Sequence, residues 1–141
     1  MFVAYPACFF KEGNGYSVIF PDLDYTATCG DTLEDALKMA VDCLAGRIYS
    51  SKRDGDVILP PSALEQISLE AVAHEIGYAS GAGFVNIITV DVEEYAKRHF
   101  ERSVKKTLTI PDWLNTAALE QGINFSQVLQ EALCKRLGYE S

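Results

Sequence analysis

Five carboxylates close together in the sequence are the first candidates for chemistry: Asp22, Asp24, Asp31, Glu34 and Asp35. Clustered acids can hold a divalent cation or move protons in general acid-base catalysis. A single group of surface acids more commonly faces solvent or a partner. The two histidines, His74 and His99, have no nucleophile or orienting acid beside them, as a triad would need. The sequence therefore predicts no catalytic residue, no metal and no cofactor.

The four cysteines are widely separated and form no Cys-x-x-Cys pair: Cys8, Cys29, Cys43 and Cys134. A structural zinc site would need clustered ligands. The first residues lack the basic region of a secretory signal, and no apolar run approaches the roughly 18 to 20 residues that cross a bilayer. We therefore expect a soluble cytosolic protein with no membrane contact, whose four cysteines are small buried thiols.

The net charge of −8 is confined to one part of the chain. Residues 1–102 contain eight lysines and arginines against sixteen aspartates and glutamates, whereas residues 103–141 contain four of each. The acidic part suits a basic partner. Because the tail is neutral, the acidity of the whole chain does not exclude a tail that binds DNA.

The first part of the chain has the pattern of a small sheet followed by a helix. Three strands are predicted, at residues 3–10, 16–20 and 25–29. A glycine-containing turn joins the first two as a hairpin. Apolar residues at helical spacing then predict a helix over 32–49, with Asp31 as its cap and Glu34 completing a capping box.

The middle of the chain is less clearly patterned. Residues 51–62 are predicted to be a loop, residues 62–77 are ambiguous and residues 78–83 form a link of small residues. Residues 84–92 predict a strand that is too apolar to lie on a surface. We divide the chain into a first domain over 1–92, a linker over 93–103 and a second domain over 104–141.

The tail has the order strand, helix, turn, helix. Residues 105–110 alternate, with Lys105, Thr107 and Thr109 on one face and Lys106, Leu108 and Ile110 on the other. A unit of about 35 residues cannot bury enough surface to fold alone, and a lone strand leaves its ladder groups unpaired. Two copies that pair their strands antiparallel and interlock their helices would solve both problems.

A two-stranded ribbon of this kind has the right width for the major groove of DNA. Its outer face would present Lys105, Thr107 and Thr109 to base edges and phosphates. The N-terminus of the second helix, at Asn124, Phe125 and Ser126, would hold a phosphate through its free N–H groups.

At this point the tail resembles the ribbon-helix-helix family of DNA-binding dimers, from Lys105 to Leu137. The resemblance rests on the strand alternation, the Pro-Asp-Trp-Leu helix start at 111–114 and the Gly-Ile-Asn-Phe-Ser-Gln turn at 122–127. It implies DNA contacts by Lys105, Lys106, Thr107, Thr109, Asn124, Phe125 and Ser126. The low charge of the ribbon implies modest affinity per dimer and cooperative binding, with a tetramer as one form. The alternative is a dimerisation hairpin with no DNA role.

Residues 3 to about 50 resemble the HicB antitoxins of bacterial HicA/HicB toxin–antitoxin pairs. The motifs are Phe-Pro-Asp-Leu at 20–23 and Gly-Asp-Thr-x-x-x-Ala at 30–36, together with Tyr-Pro-Ala at 5–7. Where many members place Pro-Gly-Cys, this chain has Asp-Tyr-Thr at 24–26. The resemblance implies an α+β protein, whose N-terminal domain is a degraded RNase H-like β-β-β-α-β unit. A two-metal nuclease of that fold needs carboxylates from strand 1, and residues 3–10 contain none.

The resemblance implies an antitoxin and not an enzyme. Its partner would be a HicA-type toxin, a small basic protein that cleaves mRNA, and the tail would repress its own operon. We expect toxin contacts at Asp22, Asp24, Tyr25, Asp31 and Glu34. Tight binding also needs apolar anchors; Tyr16, Phe20 and Tyr25 could be anchors, although a place in the core is the simpler expectation. The alternatives are a stand-alone regulator with a ligand-sensing or oligomerising first domain, and a divalent-metal nuclease.

Overall fold

The computed structural model describes residues 1–78, 82–101 and 103–139. The chain divides into two compact units, Met1–Arg102 and Ser103–Ser141. Half of the predicted link at 78–83, residues 79–81, lies outside the described residues. Within the described ranges, no helix has both the length and the hydropathy needed to span a bilayer.

Four strands of the first unit form one antiparallel sheet in the order β3-β2-β1-β4. They are β1 (Phe2–Glu12), β2 (Gly15–Phe20), β3 (Thr26–Gly30) and β4 (Gly83–Asp91). The predicted hairpin is confirmed, since Glu12 pairs with Gly15 across the turn. Strand β1 lies between two neighbours, and Phe9 and Phe10 point to opposite faces of the sheet with no exposed surface. Burial on both faces explains why β1 is almost continuously apolar.

Helix α1 (Leu33–Asp54) covers one face of the sheet with a stripe of Ala36, Ala40, Leu44 and Ile48. The predicted helix is confirmed, but it runs beyond residue 49 to Gly55, whose φ of 73° ends it. The predicted cap is wrong. Thr32, not Asp31, accepts the Asp35 N–H at 3.1 Å.

The glycine and alanine of the Gly-Asp-Thr-x-x-x-Ala motif lie where strand and helix backbones touch. A Cβ atom on Gly30 would stand 2.2 Å from the backbone nitrogen of Ala36. No side chain fits in that space, so any larger residue at position 30 would push α1 away from β3. The motif therefore lets β3 and α1 pack closely and caps the start of α1.

The ambiguous segment at 62–77 forms a 3-10 turn, Leu64–Gln66, and then helix α2 (Leu69–Ile76). Val72 and Ala73 of α2 pack on the second face of the sheet against Cys8, Phe10 and Ile19. The sheet is therefore covered on both faces, by α1 on one side and by the shorter α2 on the other.

Residues 93–103, predicted as a linker, contain helix α3 (Val92–His99), which packs on the first unit. Val92 and Ala96 are buried, and the Tyr95 hydroxyl donates to Asp42 on α1 at 2.9 Å. The polar face of α3 made it look like a connector. Its apolar stripe is only a few residues wide, which is a weak signal in a sequence.

Strand β4 was expected to be too apolar for a surface, and this expectation is wrong. It is an edge strand in which Ile88 and Val90 are buried, while Asn86, Ile87 and Thr89 are exposed. Its apolar residues pack on one covered face of the sheet, and none of the other described strands pairs with its outer edge.

Residues 55–63 cross one end of the sheet, and side chains from the strands and turns hold them there. The Tyr5 hydroxyl donates to the carbonyl of Leu59 at 2.5 Å. The Asp22 carboxylate accepts from both the backbone N–H and the hydroxyl of Ser62, each at 2.7 Å. Asp22 therefore positions the chain between α1 and α2.

The second unit contains helix α4 (Asp112–Glu120) and helix α5 (Phe125–Leu137). Glycines follow both helices, and Gly122 and Gly138 take positive φ angles, of 66° and 82°. Residues 103–111 have no regular structure in the single chain. Among the described residues of this unit, none is buried.

The cysteines differ in their surroundings, contrary to the prediction that all four are buried. Cys8 is fully buried, Cys43 and Cys134 are half-buried, and Cys29 is exposed on the edge strand β3. Burial raises the pKa of the Cys8 thiol to about 11. Because the thiolate is the reactive form, Cys8 is protected by both its pKa and its burial.

Alkylation of the folded protein should separate these thiols. With iodoacetamide at pH 8, we expect Cys29 to be modified first and Cys8 only after unfolding, as read by peptide mass spectrometry. Modification of Cys8 in the folded protein at the rate of Cys29 would contradict the placement of β1 in the core.

Replacing Asp22 by alanine should destabilise the first unit, because it removes an ionised acceptor of two hydrogen bonds. The loss should be about 2 kcal/mol, measured by urea unfolding. Glu65→Ala, which removes an exposed carboxylate three residues from Ser62, is the matched control and should change the stability by less than about 0.5 kcal/mol. Equal losses for the two variants would show that Asp22 does not position residues 55–63.

Candidate partner-binding surfaces

The Phe-Pro-Asp-Leu motif shapes the turn that leads into β3. Phe20 and Leu23 are core residues, and Pro21 opens a 3-10 turn over Pro21–Leu23. Asp22, predicted to contact a partner, accepts hydrogen bonds from Ser62 with both carboxylate oxygens. Two buried apolar side chains therefore orient this turn, and a structural carboxylate anchors it.

Asp24 and Tyr25 complete the turn in the left-handed region, with φ angles of 55° and 58°. An aspartate tolerates this conformation, whereas a tyrosine does so at a cost of about 1–3 kcal/mol. The Asp24 carboxylate pairs with Arg47 of α1 at 2.7 Å, and the Tyr25 side chain is 41% exposed. The strained backbone thus holds an aromatic ring at the surface beside an ion pair.

Asp31 and Glu34 lie at the opposite end of β3 from Asp24 and Tyr25. Both are exposed, and Glu34 pairs with Lys38 at 3.2 Å. Five residues of strand separate the two ends, which is about 16 Å. The expectation of one acidic cluster is therefore wrong. The acids form two groups along the β3 edge of the sheet. The Asp22 carboxylate binds Ser62 within the first unit.

This spacing suits recognition of a broad charged surface better than catalysis. Across the described residues, no three His, Cys, Asp or Glu side chains come together to hold a metal ion. His99 stacks on Tyr95, with ring centroids 3.9 Å apart, and its Nδ1 lies 3.0 Å from the Tyr95 carbonyl oxygen. That contact orders the end of α3.

The three aromatic residues proposed as core or anchor separate into distinct environments. Phe20 is fully buried and Tyr16 packs partly buried against the same core. Tyr25 alone of the three is exposed. Of these residues, only Tyr25 is available to a partner on the first unit.

In the second unit, the two faces of residues 105–110 have different surroundings. Lys106, Leu108 and Ile110 line an open groove of about 490 Å³ together with residues of α5, namely Phe125, Val128, Leu129 and Ala132. Lys105, Thr107 and Thr109 are exposed and are not part of that groove. The predicted alternation of residues 105–110 therefore separates an apolar face from a polar one.

The predicted phosphate site at the start of α5 has a side-chain cap. The Asn124 side chain accepts the Gln127 N–H at 3.1 Å. The N–H groups of Phe125 and Ser126 lie in the first turn, where a helix supplies no internal acceptor. Asn124 therefore shapes the helix end, and the two backbone donors after it suit an anion.

Two residues that hold the turn before β3 in place were not found from the sequence. Arg47 forms the ion pair with Asp24, and Ser62 binds Asp22. Arg47 lies 23 residues from its partner and Ser62 lies 40 residues away, so no local pattern connects them. Only the path of α1 back along β3 brings Arg47 to the turn.

Comparisons with known proteins show the family of this chain. Residues 5–132 match the family described as HicB_like antitoxin of bacterial toxin-antitoxin system. The chain is 36% identical over 69 residues to Antitoxin HicB 2 of Photorhabdus laumondii subsp. laumondii. That match covers 49% of this chain and 50% of the relative, so the chain spans about half the length of this relative.

The fold is similar to a solved structure, the toxin–antitoxin complex from Streptococcus pneumoniae. The TM-score is 0.62 at 31% sequence identity, over 96% of this chain and 99% of that chain. The family match takes in the sheet from residue 5 onward, the motifs at 20–23 and 30–36, helix α4 and the first part of α5. The chain belongs to the HicB-like antitoxin family of bacterial toxin–antitoxin systems.

Proposed function

We propose that this protein neutralises a HicA-type mRNA-cleaving toxin through its first unit and represses its own operon through its second. The proposal for the second unit rests on the observation that none of the described residues 103–139 is buried. A folded unit that buries nothing by itself needs another chain. Both activities belong in the cytoplasm, where the mRNA and the operator are.

The second unit is proposed to be a ribbon-helix-helix homodimer. In a dimer, residues 105–110 would pair antiparallel with the same residues of a second copy. The groove lined by Leu108, Ile110 and α5 would then be filled by the partner's apolar side chains. Trp113, Leu119 and Leu137, which are 61–71% exposed in the single chain, supply further apolar surface for such a core.

The polar face of the ribbon is proposed to enter the major groove of operator DNA. Lys105, Thr107 and Thr109 would face the bases, while the start of α5 would hold a phosphate. Lys106 lies on the groove side of residues 105–110, and its long side chain would reach a phosphate at the edge of the ribbon. The second unit has no net charge. Nonspecific attraction to DNA is therefore weak, and specific binding relies on base contacts and on more than one dimer.

The first unit is proposed to bind the toxin at the β3 edge. The whole net charge of −8 lies in residues 1–102, and it would steer a basic toxin and raise its association rate. The solved relative from Streptococcus pneumoniae is a toxin–antitoxin complex. Tyr25 would supply an apolar anchor between Asp24 and the more distant Asp31 and Glu34.

We also propose that the first unit is RNase H-like in origin and non-enzymatic. Its elements follow the order β-β-β-α-β, with α2 inserted before β4. Strand β1 contains no carboxylate before Glu12 at its end. A two-metal mechanism would need acids from this strand, so the expected role is recognition.

Thr107→Glu should weaken operator binding, because it puts a negative charge where a donor faces DNA. Each base contact is worth roughly 1–3 kcal/mol, so Kd in a gel-shift assay should rise roughly ten- to hundredfold. Thr116→Glu adds the same charge to an exposed position on α4 and serves as the control. Equal effects of the two substitutions would mean that residue 107 does not enter the groove.

Co-expression of this protein with its proposed HicA-type toxin should relieve the growth arrest that the toxin causes, and Tyr25→Gly should reduce that protection. The substitution relieves the left-handed strain, so the free antitoxin should become more stable by about 1 kcal/mol. The complex should nevertheless weaken roughly tenfold or more, measured by calorimetry.

Tyr139→Gly removes an exposed tyrosine from the second unit and should leave toxin affinity unchanged. Unchanged affinity for Tyr25→Gly would exclude Tyr25 as an anchor, and failure of the native protein to relieve arrest would exclude the toxin-neutralising role.

A further inference from the structure

Arg47 of α1 joins a buried group on its own helix to the turn that carries Tyr25. Its Nη1 atom donates to the hydroxyl of Ser51, one helical turn further along α1, at 2.6 Å. Ser51 is only 2% exposed. Its Nη2 atom donates to the Asp24 carboxylate at 2.7 Å. The guanidinium therefore binds a buried group on the helix and an exposed group on the turn at the same time.

This double contact fixes the orientation of the Arg47 side chain. The side chain of Arg47 is 28% exposed, whereas that of Asp24 is 82% exposed. A guanidinium is planar and presents its donors in a fixed fork, so the bond to Ser51 also sets the direction of the bond to Asp24. The helix is thus the rigid side of this arrangement, and the turn is the side that is held.

The turn needs such a contact because two consecutive residues, Asp24 and Tyr25, lie in the left-handed region. The Thr26 hydroxyl donates to the carbonyl of Leu23 at 2.5 Å, which joins the residues on either side of them. A left-handed tyrosine persists only where the surrounding structure imposes that conformation. Within the part of the chain that the structure describes, the Tyr25 side chain forms no hydrogen bond, ion pair or ring contact. The ion pair at Asp24 is therefore the polar contact that holds this part of the turn.

The ion pair is poorly placed to stabilise the first unit as a whole. Its carboxylate is mostly in water, and exposed ion pairs contribute little to the free energy of unfolding. The two partners are 23 residues apart in the sequence, so the pair links the turn to α1 across the edge of the sheet. Its main effect is local, on the conformations that Asp24 and Tyr25 sample.

We infer that Arg47 is a positioning residue for toxin binding, which acts through Asp24 to hold Tyr25 in the conformation that contacts the toxin. This role rests on the proposed function of the first unit and requires no contact between Arg47 and the toxin. Without the guanidinium, the turn would leave the left-handed conformation in a fraction of the molecules. The apparent affinity would fall in proportion to the fraction that no longer presents Tyr25 correctly.

Charge alone predicts the opposite effect of removing Arg47. The proposed toxin is basic, and the whole net charge of −8 lies in residues 1–102. Removing a cation from this unit makes it more acidic, so electrostatic attraction would strengthen the binding of a basic partner. A positioning role predicts weaker binding. The two explanations therefore differ in the sign of the change in affinity.

Calorimetry of the full-length chain with the HicA-type toxin measures that sign. Arg47→Met keeps an apolar stem on α1 and removes the guanidinium, so Kd should rise about three- to fivefold. The rise should persist at about 0.5 M salt, where exposed charges are screened. Arg53→Met is the matched control, because it removes the same charge from the end of α1, where Arg53 is 66% exposed. The control should leave Kd unchanged or lower it slightly, and an unchanged or lower Kd for Arg47→Met would overturn the inference.

A double-mutant cycle shows whether Arg47 acts through Tyr25. The Tyr25→Gly chain has no aromatic ring to position, and glycine adopts the left-handed conformation without strain. Adding Arg47→Met to that chain should therefore change Kd by less than about twofold. An equal loss of affinity in the native and Tyr25→Gly backgrounds would mean that Arg47 contacts the toxin directly, which overturns the positioning role.

The free protein gives a measurement that needs no toxin. The NMR backbone chemical shifts of Asp24 and Tyr25 should move away from left-handed values in Arg47→Met and stay in place in Arg53→Met. Unchanged shifts in both variants would show that Arg47 does not hold the turn.

Failure of this role can be told apart from failure of the proposed function. A native chain that does not bind the toxin overturns the toxin-neutralising function itself. A native chain whose binding is weakened by Tyr25→Gly but not by Arg47→Met overturns the role of Arg47 alone.

Asp24→Asn covers the case in which Arg47→Met unfolds the first unit, as circular dichroism would show. It removes the charge of the pair from the exposed end without touching α1. At high salt, where the lost acid no longer attracts the toxin, Kd should still rise, and the rise should disappear in the Tyr25→Gly chain. Native affinity of Asp24→Asn at high salt would overturn the inference.

Discussion

The second unit cannot bury its apolar residues within one chain, and this constraint shapes the whole account. Leu108, Ile110 and the stripe of α5 face an open groove, and every described residue from 103 to 139 is at least partly exposed. Burying each such side chain contributes roughly 1.5–3 kcal/mol to the stability of a fold. Two short helices that lack this contribution would not be stable. We therefore propose that the unit folds around another copy, which would leave the polar face of residues 105–110 outside.

The first unit, in contrast, has a buried core of its own. Its central strand is buried on both faces, so the sheet is rigid and its two edges are the available surfaces. The turn before β3 is anchored by Phe20, Leu23 and the Asp22–Ser62 hydrogen bonds. That anchoring lets Tyr25 remain strained and exposed. The toxin contacts that we propose would thus lie on an edge whose geometry is set by the core.

Strong periodicity and turn chemistry made much of the fold predictable. The hairpin, α1 and the glycines that follow α4 and α5 follow from local rules. The features that were predicted wrongly depend on contacts between residues that are distant in the sequence. Helix α3 looked polar because its buried stripe is narrow, β4 looked like a central strand because its apolar residues serve one face, and Cys29 lies on an exposed edge. The apparent acidic cluster was split because a strand separates residues that are near in sequence.

The pairing of residues 105–110 with a second chain is tested most directly by hydrogen exchange on the full-length protein. The account predicts slow exchange of the amide groups that point into the ribbon, and rapid exchange of the same amides in the Leu108→Lys variant. Rapid exchange in the native protein at high concentration would contradict it. So would equal protection in the native protein and the variant, because the segment would then find its partner within its own chain.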